Sequence, residues 1–358
     1  MILPSDTTAG RWSPHHQRLH RHLRHRPDLL PPGAPLLLAV SGGQDSMALT
    51  ALLADLRRLH GWSLELWHGD HGWRAESAEQ ARELAAWAEA MELPLRLERA
   101  EPGPATEARG RQWRYERLRQ TALSLGCGHV VTGHTASDRA ETVLLNLARG
   151  SHHRGLGSLR ARRPLGPAAP ASETGDADAG PGPLLVRPLL PFSREDTARI
   201  CADLQLPVWP DASNDDRRFR RNRLRSEVVP VLEALHPGAC RRIAAQAERL
   251  EQEGDAREEL LDLALQSLTA TGERLGPSLQ RRRLGRLEAG NRRSLLELWL
   301  RRQGVPGLGA ADLEDLSRRL QPDRGPGGQD LADGWRLRWD RSTLNLQRPG
   351  DGRHGDGC

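Results

Sequence analysis

The stretch LLLAVSGGQDSMALTALL, residues 36–53, joins an apolar strand to an apolar helix through a turn that holds two glycines. The run 36–40 is typical of a buried strand, and the leucines at 49, 52, 53 and 56 recur at helical spacing. Glycine lets the turn approach a ligand closely, and the first helical turn offers unpaired N–H groups. The stretch therefore predicts a phosphate site, beside the alternative of a plain turn capped by Asp45 or Ser46.

Two well-known phosphate loops do not fit this turn. A Walker loop needs a lysine, and the chain contains none, since all 52 of its Lys+Arg residues are arginines. The G-x-G-x-x-G fingerprint of dinucleotide-binding folds does not match residues 41–46 either. If this turn binds phosphate, the protein belongs to another class of nucleotide-binding proteins.

Strand and helix patterns alternate after the turn. Strands are predicted at 63–69, 94–100 and 129–134, and helices at 77–91, 105–126 and 137–150. This alternation predicts an α/β fold with a doubly wound, mostly parallel sheet. Ligands of such sheets bind at the carboxyl ends of the strands, so the polar residues that end these strands are the candidates for function.

A length of 358 residues indicates about two domains. We expect a basic N-terminal segment or helix at 1–34, a nucleotide-binding domain at 35–225, a smaller, mainly helical domain at 226–348 and a flexible tail at 349–358. Residues 161–184 are rich in Pro, Ala, Gly and Asp, which predicts a flexible insertion within the first domain.

Charge and cysteine content indicate which partners and which cellular compartment to expect. The net charge of +5 is compatible with a polyanionic partner. The widely spaced cysteines form neither a disulfide framework nor a zinc site, which favours a reducing cytoplasm; they are Cys127, Cys201, Cys240 and Cys358. No apolar run is long enough to span a membrane, so we expect a soluble protein with no membrane partner.

Further polar clusters follow the predicted strands, and each alone has an ordinary structural explanation. They are DHGWR (70–74), EARGRQWRY (107–115), GHTASDRAET (133–142), RGSHHRGL (149–156), RPLL (187–190) and DASNDDRRFRRNRLR (211–225). In this order, and after SGGQDS, they resemble the tRNA(Ile)-lysidine synthetases, a family of PP-loop ATP pyrophosphatases. The resemblance covers most of residues 35–236, and SGGQDS alone would indicate only the PP-loop superfamily.

The resemblance implies the PP-loop ATP pyrophosphatase fold and a cytoplasmic ligase that forms a carbon–nitrogen bond. Such an enzyme adenylates C2 of the wobble cytidine of isoleucine tRNA with a CAU anticodon, using ATP and Mg²⁺ and releasing pyrophosphate. An amino group of free L-lysine then attacks C2 and expels AMP. The lysidine that results changes the identity of the tRNA from methionine to isoleucine. A monomer and a homodimer both remain open.

The resemblance also implies roles for individual residues. The candidate catalytic residues are Asp45, His134, Asp138 and Glu141. The ATP site would consist of Ser41, Gly42, Gly43, Gln44, Asp45, Ser46 and Arg109, with Asp45 as a ligand of Mg²⁺. Asp138 and Glu141, three residues apart on one helix face, would bind the cationic amine of lysine. The tRNA phosphates would bind Arg114, Arg149, Arg217, Arg218, Arg221 and Arg223.

Three positions depart from the pattern of the family, where leucine, glutamine and glycine are usual: they are Trp73, Arg139 and His152. Arg139 would weaken the binding of a cation if its side chain pointed into the lysine site. Two other functions stay in competition with the ligase. A PP-loop tRNA thiolase would need catalytic cysteines or an iron–sulfur cluster, and a non-catalytic RNA-binding protein would not need an intact nucleotide loop.

Overall fold

The computed structural model describes residues 12–70, 77–100, 103, 106–151, 153–166, 182–209, 217, 219–269 and 277–349. Its chain divides into two compact units, Met1–Glu251 and Gln252–Cys358. Within the described ranges, no helix combines the length and the apolar character that crossing a membrane requires.

The first unit is built on a six-stranded sheet. Its strands are β1 (Pro35–Ala39), β2 (Ser63–Asp70), β3 (Leu95–Arg99), β4 (His129–Thr132), β5 (Arg162–Pro164) and β6 (Leu184–Val186). They lie in the order β3-β2-β1-β4-β6-β5, and every neighbouring pair is parallel except β5 and β6. The predicted doubly wound, mostly parallel sheet is confirmed.

The helices of this unit lie between and after the strands. They are α1 (Pro14–His25), α2 (Gln44–His60), α3 (Ser77–Ala90), α4 (Glu107–Ser124), α5 (Ala136–Ala148), α6 (His153–Leu156), α7 (Arg194–Asp203), α8 (Arg220–Arg223) and α9 (Val229–Leu235). A π-helical turn, Leu224–Val228, connects α8 to α9, and the 30-residue helix α10 (Ala239–Leu268) follows.

The central strand β1 has apolar side chains on both faces of the sheet. Leu36 and Leu38 belong to one hydrophobic core, and Leu37 belongs to another on the opposite face. A strand of a parallel sheet is covered by helices on both sides, which explains why the sequence of β1 is continuously apolar instead of alternating.

The topology places a crevice beside the glycine-rich turn. The chain passes from β1 to β2 and β3 on one side, and later adds β4 to the other side of β1. The connections that follow β1 and β4 therefore diverge at the carboxyl edge of the sheet, which is where open α/β sheets bind ligands.

The structure changes the predicted limits of the N-terminal segment and of the first domain. Helix α1 buries Leu19 and Leu23 in the core of the first unit, so residues 12–34 are part of that unit. The compact units divide after Glu251, later than the boundary that we predicted at 226. Contacts of Arg241 with Asp196 and of Glu251 with Arg139 keep this later segment with the sheet.

The insertion that we predicted at 161–184 is too wide at both ends. Residues 162–164 form β5, and Leu184 begins β6. Leu165 is buried, and its N–H donates to the carbonyl of Pro183 at 2.8 Å. A three-residue antiparallel edge strand carries too little periodicity to be recognised in the sequence. The central part, residues 167–181, lies outside the described residues.

The second unit contains a sheet that the sequence analysis largely missed. Strands β7 (Ser278–Gln280), β8 (Gly327–Asp330), β9 (Arg336–Trp339) and β10 (Thr343–Gln347) form an antiparallel sheet in the order β7-β10-β9-β8. The segment 334–347, whose alternating apolar residues are typical of a hairpin, contains β9 and β10. The helices of this unit are α11 (Arg281–Gly285), α12 (Ala289–Arg302) and α13 (Ala310–Arg319), and they share an apolar core with the sheet.

Replacement of Leu165 by alanine is expected to lower the free energy of unfolding by about 2–5 kcal/mol, because a buried side chain is lost from the core that also contains Leu118 and Leu185. Deletion of residues 168–180 removes no large apolar side chain, and we expect it to leave the stability unchanged. Urea unfolding of both variants beside the wild type checks this. A stable Leu165→Ala variant, or a destabilised deletion, would contradict it.

Candidate active site

The loop 41–46 is closed by hydrogen bonds among its own residues. The Ser46 hydroxyl donates to the carbonyl of Gly43 at 2.8 Å and accepts from the Ser41 N–H at 3.2 Å. Its oxygen also lies 3.1 Å from the Ser41 hydroxyl. Helix α2 begins without a side-chain cap at Gly43, so its first N–H groups remain for an anion.

Two features hold this loop from outside. Gly42 has a φ of +80°, a conformation that favours glycine, and the ring of Trp209 lies 3.1 Å from the position that a Cβ would take there. The N–H of Trp209 donates to the Gly42 carbonyl at 3.0 Å. The side-chain amide of Gln44 donates to the carbonyl of Arg194 at 2.6 Å and to the hydroxyl of Thr197 at 2.8 Å, which joins the loop to α7.

Asp45 is held by the same helix, α7. The Thr197 hydroxyl donates to its Oδ1 at 2.5 Å, and the Arg194 guanidinium lies 3.4 Å from Oδ2. Burial raises the pKa of Asp45 above its ordinary value, and the nearby Asp138 carboxylate adds to this, although Arg194 opposes it. The carboxylates of Asp45 and Asp138 thus repel each other at this edge of the sheet.

The turn after β4 approaches the start of α2 without a gap. A Cβ on Gly133 would lie 2.8 Å from the carbonyl oxygen of Asp45 and 3.0 Å from the nitrogen of Ser46. Only glycine fits at this distance, since the atoms that it meets are backbone and cannot move aside. The approach places His134 and α5 next to the loop.

His134 is a half-buried, neutral imidazole. Its Nδ1 lies 2.9 Å from the Thr132 hydroxyl. Burial lowers the pKa of His134 to about 3; Asp138 opposes this shift, and Arg187 and Arg111 add to it. At physiological pH the ring can donate or accept a hydrogen bond but carries no charge.

Asp138 and Glu141 are buried on the first turns of α5. Oδ2 of Asp138 accepts from the N–H and the hydroxyl of Thr135, both at 2.9 Å, as the N3 residue of a capping box. Burial alone would raise the pKa of Asp138, but His134, Arg221 and the Thr135 N–H lower it below its ordinary value. Asp138 is therefore ionised.

Two arginines from the segment 217–225 bind these carboxylates. Nη2 of Arg221 donates to Oδ1 of Asp138 at 3.0 Å, and its Nε donates to Oε2 of Glu141 at 2.7 Å. Nε and Nη2 of Arg225 donate to the two oxygens of Glu141 at 2.7 and 3.0 Å. The two arginines are four residues apart, so they lie on one face of the helical segment that faces α5.

The site is electrically balanced in the described residues. Asp45, Asp138 and Glu141 provide three carboxylates, and Arg194, Arg221 and Arg225 provide three guanidinium groups that contact them. Of these arginines, we had expected only Arg221 to have a functional role, as a tRNA contact. In this structure its guanidinium contacts Asp138 and Glu141, and its predicted contact with tRNA stays a prediction.

The other arginines that we had assigned from the sequence lie elsewhere. Arg109, Arg114, Arg149 and Arg217 are exposed. Arg223 is exposed and pairs with Glu227, whereas Arg218 lies outside the described residues. The roles predicted for these arginines in binding ATP or tRNA stay predictions.

The departure at Arg139 does not affect the carboxylates. The side chain is buried and its guanidinium binds the carboxylate of Glu251, away from Asp138 and Glu141. Burial lowers the pKa of Arg139, and Glu251 compensates in part. The other two departures, Trp73 and His152, lie outside the described residues.

The cysteines that the structure describes are buried thiols. Burial raises the pKa of Cys127, that of Cys201 to about 11 and that of Cys240 to about 12. Since the thiolate is the reactive form, these side chains are poorly suited to sulfur transfer.

The chain is similar in sequence to a known domain family and to known relatives. The family model of the PP-loop domain matches residues 15–232. A tRNA(Ile)-lysidine synthase of Parasynechococcus marenigrum is 53% identical over 343 residues, which cover 95% of this chain and 97% of the relative. A tRNA(Ile)-lysidine synthase of Prochlorococcus marinus is 40% identical over 344 residues, covering 94% and 96%.

Among solved structures, the U34-tRNA thiolase of Methanococcus maripaludis, described with its 4Fe–4S cluster, superposes with a TM-score of 0.53. The match covers 66% of this chain and 80% of the thiolase at 16% sequence identity. At this identity the similarity concerns the fold alone.

Replacement of Gly133 by alanine is expected to weaken ATP binding at least tenfold in a folded protein, because the new methyl group displaces the backbone of Asp45 and Ser46. Gly128→Ala is the matched control, since a Cβ at Gly128 meets no atom within 4 Å. Equilibrium binding of ATP to both variants is the measurement. Equal affinities would show that the turn after β4 can move away from the loop.

Neutral His134 predicts a dependence of stability on pH. Between its ordinary pKa of 6.5 and about 3, the unfolded chain binds a proton at this position and the folded protein does not. The free energy of unfolding should therefore fall as the pH is lowered through this window, and His134→Gln should flatten the decline. Urea unfolding at pH 7.5, 6.5 and 5.5 measures it, with exposed His25→Gln as the control. A parallel decline in His134→Gln would refute the assignment.

Proposed function

Because this chain belongs to the tRNA(Ile)-lysidine synthase family and contains its PP-loop domain, we propose that it is a ligase that attaches L-lysine to C2 of the wobble cytidine of isoleucine tRNA with a CAU anticodon. The observation that carries the proposal is the crevice where loop 41–46, with its Asp45, lies against the turn that leads to His134, Asp138 and Glu141. A cytoplasmic location follows for an enzyme that uses tRNA, ATP and free lysine.

Adenylation comes first in this proposal. The C2 oxygen of the cytidine attacks the α-phosphorus of ATP, and the bond to the β-phosphate oxygen breaks to release pyrophosphate. The leaving group gains negative charge, so donors must face it where it forms. The uncapped N–H groups at the start of α2 and the hydroxyl of Ser41 supply such donors, whereas the Ser46 hydroxyl donates to the Gly43 carbonyl and holds the loop in shape.

The residues around Asp45 fit a divalent cation. Mg²⁺ prefers oxygen ligands and is usually held by one or two carboxylates together with phosphates of the substrate. Asp45 is a half-buried carboxylate whose pKa is raised by desolvation and by nearby Asp138, and it would hold Mg²⁺ with the phosphates of ATP. When bound, the ion supplies positive charge to the departing pyrophosphate.

His134 is suited to positioning rather than to taking up a proton. Efficient general bases have a pKa near the working pH, and the pKa of His134 is about 3. Its neutral ring can hold the cytidine or the nucleotide by a hydrogen bond. The Thr132 hydroxyl at 2.9 Å from Nδ1 orients the ring for this role.

Lysine is the second substrate to engage the site. Asp138 and Glu141 are already neutralised by Arg221 and Arg225, so an ammonium group would add an unbalanced positive charge. Bound phosphates carry the opposite charge and attract guanidinium groups. We propose that lysine binds after adenylation. A phosphate group then binds Arg221, and the carboxylates that Arg221 releases can bind the ammonium of lysine.

In this proposal the phosphates of the tRNA bind the exposed arginines. Arg114, Arg149 and Arg217 are exposed, and Arg223 pairs with Glu227 on the surface. Surface pairs of this kind contribute little to stability, so exchange of Glu227 for a phosphate costs little. Arg221 has a different task, because it binds the carboxylates of the site.

Incubation with labelled lysine, ATP and the CAU-anticodon isoleucine tRNA tests the function. We expect lysine in the digested nucleosides and one AMP and one pyrophosphate for each lysine. Asp45→Asn should reduce pyrophosphate release at least about 100-fold, because the charge that holds the metal is lost. A folded wild-type protein that releases pyrophosphate without incorporating lysine would refute the ligase.

A further inference from the structure

A second group of cations surrounds Tyr115, on the face of the sheet that α4 covers. Arg111 and Tyr115 are four residues apart on α4 and so lie on the same helix face. Arg163 pairs with Leu185 across β5 and β6, and Arg187 follows Leu185 at the period of a strand. Leu185 belongs to the core against which Tyr115 packs, so these elements converge on the Tyr115 ring.

The guanidinium groups of Arg111 and Arg163 lie against the aromatic ring. The Cζ atoms of Arg111 and Arg163 are 5.1 and 5.0 Å from the ring centroid of Tyr115. The positive charge of Arg187 also acts on Tyr115 and lowers the pKa of its phenol. Three cations therefore share one phenol, which offers its ring electrons and a single oxygen but no full negative charge.

Arg187 is the innermost of the three cations. Its side chain is 2% exposed, and Nη1 donates to the carbonyl of Arg160 at 2.6 Å. Nε of Arg187 is buried and has no hydrogen-bond partner among the described residues. A buried guanidinium with an unmet donor and no carboxylate partner costs folding free energy unless an anion completes it.

The electrostatic environment agrees with this geometry. Burial lowers the pKa of Arg187 to about 10, Arg163 and Arg111 lower it further, and Tyr115 opposes them. Burial would raise the pKa of Tyr115, but Arg111, Arg187 and Arg163 bring it below its ordinary value. The arginines next to this cluster in sequence, Arg160 and Arg162, form ion pairs with Glu251 and Asp28. Among the described residues, no ion pair joins Arg111, Arg163 or Arg187 to a carboxylate.

We propose that Arg111, Arg163 and Arg187 form a phosphate-binding site around Tyr115, and that the backbone of the bound tRNA supplies the phosphate. The proposal rests on the proposed function in so far as tRNA is the nucleic acid that binds. Arg111 is exposed, Arg163 is half-buried and Arg187 is buried, so the cluster extends from solvent toward the interior. A polymer too large for the crevice can reach such a site from outside.

The site lies beside the reacting centre. Arg187 and Arg111 act on the pKa of His134, whereas Asp45 is affected by Arg194 and Asp138. Since β4 and β6 are parallel neighbours, His134 and Arg187 follow their carboxyl ends at the same edge of the sheet. A phosphate held here would fix the nucleotide backbone next to His134, while loop 41–46 holds the phosphates of ATP.

The test measures binding of tRNA as a function of KCl concentration without turnover. The double variant Arg111→Gln with Arg163→Gln should bind tRNA at least tenfold more weakly near 0.1 M salt. Its slope of log affinity against log salt should fall by about 0.7–0.9 for each lost contact. The single variant Arg111→Gln removes only an exposed side chain and should show part of the loss even if the double variant is unstable.

Arg119→Gln is the matched control. Arg119 lies on the same face of α4, two turns beyond Arg111, but both its Nε and Nη2 bind Glu116. Loss of this paired cation should leave the tRNA salt slope as in the wild type. The comparison separates phosphate contact from a general loss of positive charge on α4.

Binding of ATP and of lysine to the same variants identifies the source of the anion. Weaker binding of ATP with unchanged binding of tRNA supports the phosphate site but assigns it to the nucleotide. A change confined to lysine overturns the proposal, because a carboxylate would then be the ligand. Unchanged binding of tRNA and ATP in a folded double variant also overturns it. Failure of the ligase proposal would instead appear as a wild type that binds tRNA without incorporating lysine.

Discussion

The candidate site depends on the contact between the turn after β4 and the first turn of α2. A Cβ at Gly133 would lie within 3.0 Å of three backbone atoms of Asp45 and Ser46, so the two connections are as close as a peptide chain permits. Parallel pairing of β1 with β4 fixes both ends of this contact in register. The distance from loop 41–46 to His134 and α5 is therefore set by the backbone of the sheet and not by flexible side chains.

Much of this arrangement could be predicted from the sequence because its signals are local. The apolar run of β1, the glycines after it and the helical spacing of the leucines all lie within residues 36–56. Ligands bind at the carboxyl ends of parallel strands. This rule predicts that the polar residues after β1 and β4 lie close together, namely Asp45, His134, Asp138 and Glu141. The roles of these four residues remain predictions, which rest on their shared position at this edge of the sheet.

The partners of the carboxylates could not be predicted in the same way. Arg221 and Arg225 are 80 or more residues from Asp138 and Glu141 in the chain, and a cluster of six arginines is equally typical of a solvated face. The contact of α7 with Asp45 through Arg194 and Thr197 is also non-local. The antiparallel sheet of the second unit was missed because β7 and β8 are three and four residues long.

The use of arginine for every cation has a chemical consequence at this site. The proposed reaction activates C2 of a cytidine toward an amine, so any lysine near the activated base could compete with the substrate. Guanidinium stays protonated at physiological pH and cannot serve as a nucleophile there. Arg194, Arg221 and Arg225 can thus neutralise Asp45, Asp138 and Glu141 without reacting. Because the chain contains no lysine, the substrate brings the only lysine ammonium into the crevice. An ammonium is also more compact than the planar guanidinium fork, so carboxylates released by Arg221 can accept it in geometries that a second arginine could not adopt.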